Sequence, residues 1–267
     1  MNMINQPNNS LELLSIDLSN YCSKECSFCY NHSHREGNTM WKPQEVISFA
    51  TDCIAHGVKA VSLGGGEPFE FDGVFDVISD LQKKCYLSVT SNGLPLEDES
   101  VWIRLLSAKP NKIHVTIHRP HDEDEVQRVL RRMNMLQAIG IKPGINLLVG
   151  ADNIQAAKVA YMGAIQILSA DQIILVPQRF SNTPSPKQLA SVSGGHPFQS
   201  PSCLLGCKRP TNFASVSWDK KVNSCSFAGG KMPLPSLDFS GLQEALSKVT
   251  FKSCNNVNPI AAKTVHR

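Results

Sequence analysis

From residue 13 to 176 the sequence alternates short β-rich runs with stretches of helical period, a repetition that buries both kinds of element around a parallel sheet. The runs are LLSIDL, AVSL at 60–63, YLSVT at 86–90, KIHVTI at 112–117, GINLLV at 144–149 and QIILV at 172–176. Between them Val46, Phe49, Ala50, Cys53 and Ile54 share one helical stripe, with Pro43 where a first turn tolerates it. Val74, Val77, Ile78 and Leu81 form a second stripe, Val126, Val129, Leu130 and Met133 a later one, and Ile154, Ala157, Tyr161, Ala164 and Leu168 the last. A fainter stripe runs over 101–106. Six alternations fall short of an eight-fold barrel. They predict an α/β fold, a partial (β/α)6 TIM-like barrel over 1–180, with its chemistry at the C-terminal ends of the strands.

Past Pro177 the texture changes. Ser, Pro, Gly and Gln dominate 181–202, which reads as a linker or mobile loop. Beyond it, NFASVSW and VNSCSF around the turn DKK read as a hairpin, and FSGLQEALSKV as a helix. The segment 203–267 is therefore expected to be a small cysteine-rich C-terminal extension. A chain of 267 residues, 42% hydrophobic, has enough apolar material for a sizeable core. Its net charge of +3 provides no argument for a nucleic-acid partner. The N-terminal MNMINQPNNS has neither a basic start nor an apolar signal stretch, and no apolar run approaches membrane-spanning length, so a soluble cytoplasmic protein is expected.

Nine cysteines, an odd number, argue against a closed disulfide framework. Cys22, Cys26 and Cys29 fall within one short segment, CSKECSFCY, directly after the first strand. Cys203, Cys207, Cys225 and Cys254 lie in the C-terminal quarter, while Cys53 and Cys85 stand alone and read as packing residues. Clustered thiolates in a reducing compartment hold metal. Three of them in one loop would leave one iron of a four-iron cluster open for another molecule; a zinc site completed by His32 or His34 is the alternative on spacing alone.

The spacing Cys-x3-Cys-x2-Cys, with Phe28 before the last cysteine, resembles the signature of the radical S-adenosylmethionine (SAM) superfamily. The resemblance implies that Cys22, Cys26 and Cys29 carry a 4Fe-4S cluster whose open iron binds SAM. It further implies reductive cleavage of SAM to a 5'-deoxyadenosyl radical, with a reductant such as flavodoxin or ferredoxin supplying the electron. Gly64, Gly65, Gly66, Glu67 and Pro68 look like the family's glycine-rich motif, which contacts the methionyl amino group. Glycines also admit a ligand close to the backbone, and a carboxylate suits an ammonium. Thr90 and Asn92 sit where relatives place polar groups against SAM, although Asn-Gly is also a standard turn pair. Thr116 and His118 resemble the next polar pair, where relatives more usually have Ser and Asp. Asn146 and Leu148 share a face of the fifth strand, placed by relatives near the adenine; simple sheet core is the other reading of Leu148. Arg179 can hold an anionic substrate group or stand as a solvated loop residue.

The C-terminal cysteines resemble the auxiliary-cluster extension called SPASM or, when shortened, twitch. Cys207, the hairpin, Cys225, the helix and Cys254 follow its order; Lys220 departs from it, standing where relatives commonly have Gly. Three states remain open there: a second iron-sulfur cluster with four ligands, a three-cysteine cluster with an open iron, or zinc. The three-cysteine arrangement resembles that of the molybdopterin-pathway enzyme that rearranges GTP. The resemblance implies hydrogen-atom abstraction from a small-molecule or peptide substrate, followed by oxidation, bond formation or rearrangement. No leader-peptide-binding domain fits before Cys22, which favours a small molecule or a stand-alone peptide. The alternatives are a non-catalytic zinc-binding or iron-sulfur protein, and an activase of a partner enzyme; the paired CxxC motifs often seen in such activases are absent.

Overall fold

The computed structural model describes residues 11–254 other than 180, 206 and 208. The end of the cysteine-rich extension, 255–267, lies outside the described residues. Six parallel strands, β1 (Leu13–Asp17), β2 (Ala60–Gly64), β3 (Tyr86–Ser91), β4 (Lys112–Ile117), β5 (Lys142–Val149) and β6 (Ile173–Pro177), lie side by side in chain order. The crossovers carry α1 (Pro43–Ala55), α2 (Val74–Leu81), α3 (Glu99–Ser107), α4 (Glu123–Ala138) and α5 (Ile154–Ala164). The sheet is open, because β6 and β1 do not pair; this is the expected partial α/β barrel.

The strands alternate two unlike faces, as a two-residue period requires. Leu14 and Ile16, Val61 and Leu63, Leu87 and Val89, Ile113 and Val115, and Ile145 and Leu147 are buried in the core. The opposite face carries Ser15, Ser62, Thr90, His114, Thr116 and Asn146, all half-buried and all facing a cavity. A closed barrel would fill this side with bulky apolar groups. Here small polar residues leave the space open.

Within 181–202, expected as a linker, the chain forms α6 (Pro186–Val192). Its start was written in the sequence: Ser185 accepts from the Gln188 amide, Gln188 caps back, and Pro186 opens the helix. Leu189 and Val192 are the two apolar residues it buries, too short a stripe to stand out as periodicity. The following segment returns to β6, where the Leu175 amide donates to the Gln199 carbonyl at 2.8 Å.

The hairpin of the extension, β7 (Phe213–Val216) and β8 (Lys221–Asn223), joins the barrel sheet directly, with β7 parallel to β1 and β9 (Met232–Pro233) beyond β8. The closing helix α7 (Phe239–Lys248) packs on β8, β9 and α1, and the Phe239 amide donates to Asp52 of α1 at 2.7 Å. Ala214, Val216, Val222 and Leu242 therefore belong to one core with the barrel strands. No helix among the described residues is long and apolar enough to cross a membrane.

Leu242→Ala should remove about 2–5 kcal/mol of stability and shift a single unfolding transition followed by circular dichroism. Two separated transitions would mean that the extension folds on its own.

Candidate active site

The loop after β1 carries the three cysteines and is held at several points. The Cys22 amide donates to His34 O at 3.1 Å and the Ser23 amide to Glu70 Oε2 at 3.0 Å. Lys24, between the first two cysteines, pairs with Glu125 at 2.8 Å, both side chains being almost fully buried. Glu25 and His32 take left-handed φ values of 49° and 50°, unusual for non-glycine residues, so surrounding contacts must enforce the path of the loop.

The glycine run after β2 presses against this loop. The Gly66 amide donates to Ser19 O at 2.7 Å and the Glu67 amide to Tyr21 O at 2.9 Å. A Cβ on Gly66 would lie 1.8 Å from Tyr21 O, and one on Gly65, whose φ is +115°, would lie 2.5 Å from Ser19 O. These two glycines are thus required by the neighbouring chain, whatever ligand they also meet. Gly64 is different: a Cβ there meets only Asp17 Oδ1, at 3.6 Å.

Glu67 does not line the cavity. Fully buried behind the loop, it accepts from Ser91 Oγ (2.9 Å), the Asn92 amide (2.7 Å) and the Phe69 amide (3.2 Å). In this structure the Glu67 carboxylate ties the β2 loop to the end of β3. Burial pushes it up to about 7 despite those donors. Asn92 is likewise engaged, its side-chain amide directed at Cys22 Sγ (3.4 Å) and its carbonyl accepting from the Leu94 amide (2.7 Å). A donor on a prospective metal-ligating sulfur is the outer contact that orients such ligands.

A cavity of about 500 Å3 opens over the C-terminal ends of the strands. It gathers Cys22, Cys26, Phe28 and Cys29 from the first loop, Gly64, Gly65 and Gly66 from the second, and Thr90 and Asn92 from the third. Thr116, His118, Asn146, Leu148 and Arg179 complete the residues singled out from sequence. His118 lies beside Phe28 with ring centroids 6.3 Å apart, and Glu125 accepts from its backbone amide at 2.6 Å. Burial works to raise the Glu125 carboxyl, but His118 and Lys24 outweigh it and leave it at about 2.

Sequence reasoning passed over Asp17. It is 1% exposed at the end of β1, on the cavity face, and its Oδ2 has no partner. Burial pushes it up to about 6. Its signal was a lone acid two residues after Ser15 in an otherwise apolar strand. Phe227 was also missed; it packs against Tyr30 with centroids 4.7 Å apart and rings tilted by 55°, and shares the cavity.

Burial pushes the Cys26 thiol up to about 11, with Cys22 and Cys29 close enough to add to the effect. His32 and His34 are exposed and stand outside the cavity, which does not suit a zinc site completed by either. Among the described residues, no three Cys, His, Asp or Glu side chains converge on a single-ion site. A four-iron cluster makes a different demand, since each thiolate ligates its own iron. Three mutually influencing thiols in one enforced loop, with a donor on one sulfur and an open cavity beside them, fit such a cluster. Among the C-terminal thiols, burial pushes Cys207 up, with Cys254, Cys225 and Cys203 adding to the effect.

A parallel α/β sheet whose first loop delivers three thiols to a cavity at the strand ends is the arrangement of a protein that holds a thiol-ligated cofactor. The chain belongs to the radical SAM superfamily, whose model matches residues 16–150. It resembles a probable GTP 3',8-cyclase of Methanocaldococcus jannaschii, 25% identical over 154 residues covering 53% of this chain and 51% of that protein. It also resembles the GTP 3',8-cyclase of Clostridium perfringens, 27% identical over 95 residues, 33% of this chain and 29% of that one. The match thus spans about half of the first relative and less of the second. Two solved structures share the fold. Streptococcus suis SuiB bound to S-adenosylmethionine has a TM-score of 0.65 and 14% identity, over 81% of this chain and 60% of SuiB. Native anSMEcpe with bound AdoMet has a TM-score of 0.62 and 15% identity, over 88% and 81%. Membership of this superfamily implies an enzyme with a 4Fe-4S cluster and SAM as cofactors.

Two outcomes are expected. Gly66→Ala forces a carbon onto the Tyr21 carbonyl, so the first loop should fail to load iron, measured as iron and sulfide per chain; normal loading would show that the loop can yield. Glu125, held below its ordinary value of 4.5 at about 2, adds stability that is present above pH 4.5 and lost as pH falls towards 2. Glu125→Gln should flatten that limb of the apoprotein's Tm against pH, and an unchanged limb would assign the acid sensitivity elsewhere.

Proposed function

We propose that this enzyme abstracts a hydrogen atom from a small-molecule or peptide substrate and completes an oxidation, bond formation or rearrangement with help from a second iron-sulfur cluster on the C-terminal thiols. When bound, SAM and the reduced first cluster supply a radical able to attack an unactivated carbon. Cys22, Cys26 and Cys29 would hold that cluster, and Asn92 orients Cys22. Gly64, Gly65 and Gly66 would offer backbone to SAM, with Thr90, Thr116, His118 and Leu148 lining its remaining path. The enclosing strands limit the water that reaches the site.

The observation that carries the second cluster is Arg179. Its Nη2 donates to Cys203 Sγ at 2.8 Å while the same side chain lines the cavity, so Arg179 links one C-terminal thiol to the space where substrate would lie. An electron acceptor placed there is within reach of a substrate radical. Similar proteins are named for both substrate classes: GTP cyclases on one side, and on the other SuiB with its precursor peptide SuiA and anSMEcpe with a Cp18Cys peptide.

The same contact is compatible with three or with four thiol ligands, because a donor on sulfur also accompanies a ligating cysteine, as Asn92 does at Cys22. Anaerobically reconstituted wild type should contain roughly eight irons per chain, and the Cys22/Cys26/Cys29→Ala variant roughly four. That variant should form no 5'-deoxyadenosine, by mass spectrometry, from SAM and dithionite. Cys203→Ala separates the readings: loss of the second cluster means four ligands, retention means three. Zinc in place of the second iron complement would refute the auxiliary cluster.

A further inference from the structure

Arg179 stands just past β6, 6% exposed, with its guanidinium carbon 5.3 Å from the centre of the Phe227 ring. Nη2 is used by Cys203, but Nε and Nη1 have no hydrogen-bond partner. A guanidinium stays charged at any pH a protein tolerates, so it cannot escape burial by losing its proton. Unpaired donors on a buried cation are costly, and an oxyanion facing the planar fork is the partner that satisfies both charge and geometry. Asp17, a buried acid with a free oxygen on this cavity, is raised by burial and lies under the influence of Lys231 and Asp219.

We infer that Arg179, stacked on Phe227, receives an oxyanion group of the substrate, a phosphate or a carboxylate. The inference rests on the proposed reading of the cavity as the site of SAM and substrate. The residues assigned to SAM lie on β2 to β5 and the loops after them. Arg179 lies beyond these, past the last barrel strand and against Cys203. An anion bound there sits on the side of the cavity nearest Cys203, so Arg179 fixes which end of the substrate faces that thiol. Phe227 lies under the guanidinium carbon and leaves the Nε and Nη1 donors for the ligand. The contact with Cys203 keeps the guanidinium from turning away.

The test is equilibrium binding by calorimetry to the anaerobically reconstituted full chain at low ionic strength, with inorganic pyrophosphate and with succinate as probes. At least one should bind wild type saturably, pyrophosphate preference indicating a phosphorylated substrate and succinate preference a carboxylic one. Arg179→Gln should weaken that binding about ten- to a hundredfold. Phe227→Leu, which leaves the Cys203 contact in place, should weaken it by a smaller factor. SAM affinity and iron content should stay at wild-type values in both variants. Binding of neither probe, or undiminished binding to Arg179→Gln, overturns the inference. So does a loss of SAM affinity in Arg179→Gln, which would assign the guanidinium to the SAM carboxylate. A loss of iron in Arg179→Gln with unaltered anion binding in Phe227→Leu would assign it to the thiols alone. Failure of the underlying reading shows separately, as wild type that loads iron without cleaving SAM.

Discussion

Two stretches of backbone, Ser19–Tyr21 after β1 and Gly64–Glu67 after β2, lie closer than any side chain would allow, and the site is organised around that contact. Two amide-to-carbonyl hydrogen bonds cross it, and glycine at 65 and 66 is the only residue that avoids a collision. Glu67 then locks the second loop to the third by accepting from Ser91 and Asn92. The Asn92 side chain in turn reaches Cys22. The chain of contacts runs from one cysteine through three consecutive strand ends, so the geometry of the thiols is set by the parallel sheet and not by the loop alone. From the other side the Lys24–Glu125 pair ties the same loop to the start of α4.

The open sheet serves the site through its two unlike faces. Apolar residues on the outer face pack under the helices and supply the core. Serine, threonine, histidine and asparagine on the inner face are too small or too polar to fill the interior, which leaves a lined cavity at the strand ends. The C-terminal strands lengthen this sheet beyond β1, and through Phe213 and Phe227 they contribute to the cavity wall. Tyr30, Phe227 and Arg179, which touch in succession on the cavity wall, connect the first thiol loop to Cys203 of the second set.

Much of this was legible in the sequence because it is local. The βα alternation sets the sheet, the two-residue period sets which side chains face inward, and the cysteine spacing places three thiols in one loop. The glycine run was also legible, although its physical cause lies partly in the Tyr21 and Ser19 carbonyls. Helix α6 escaped notice because it has two buried residues and a capping box in place of an apolar stripe.

What the sequence by itself determined is the parallel α/β architecture, the polar inner face and the identity of the thiol-bearing loop, all of which follow from periods and spacings within a few residues. The tertiary structure alone decided that Glu67 turns inward to hold β3 and that Asp17 keeps a free oxygen on the cavity. It also decided that β7 pairs with β1, and that Arg179 reaches both the cavity and Cys203. Each of these depends on contacts between residues distant in the chain, where burial and hydrogen-bond geometry select one partner among many that the sequence would permit.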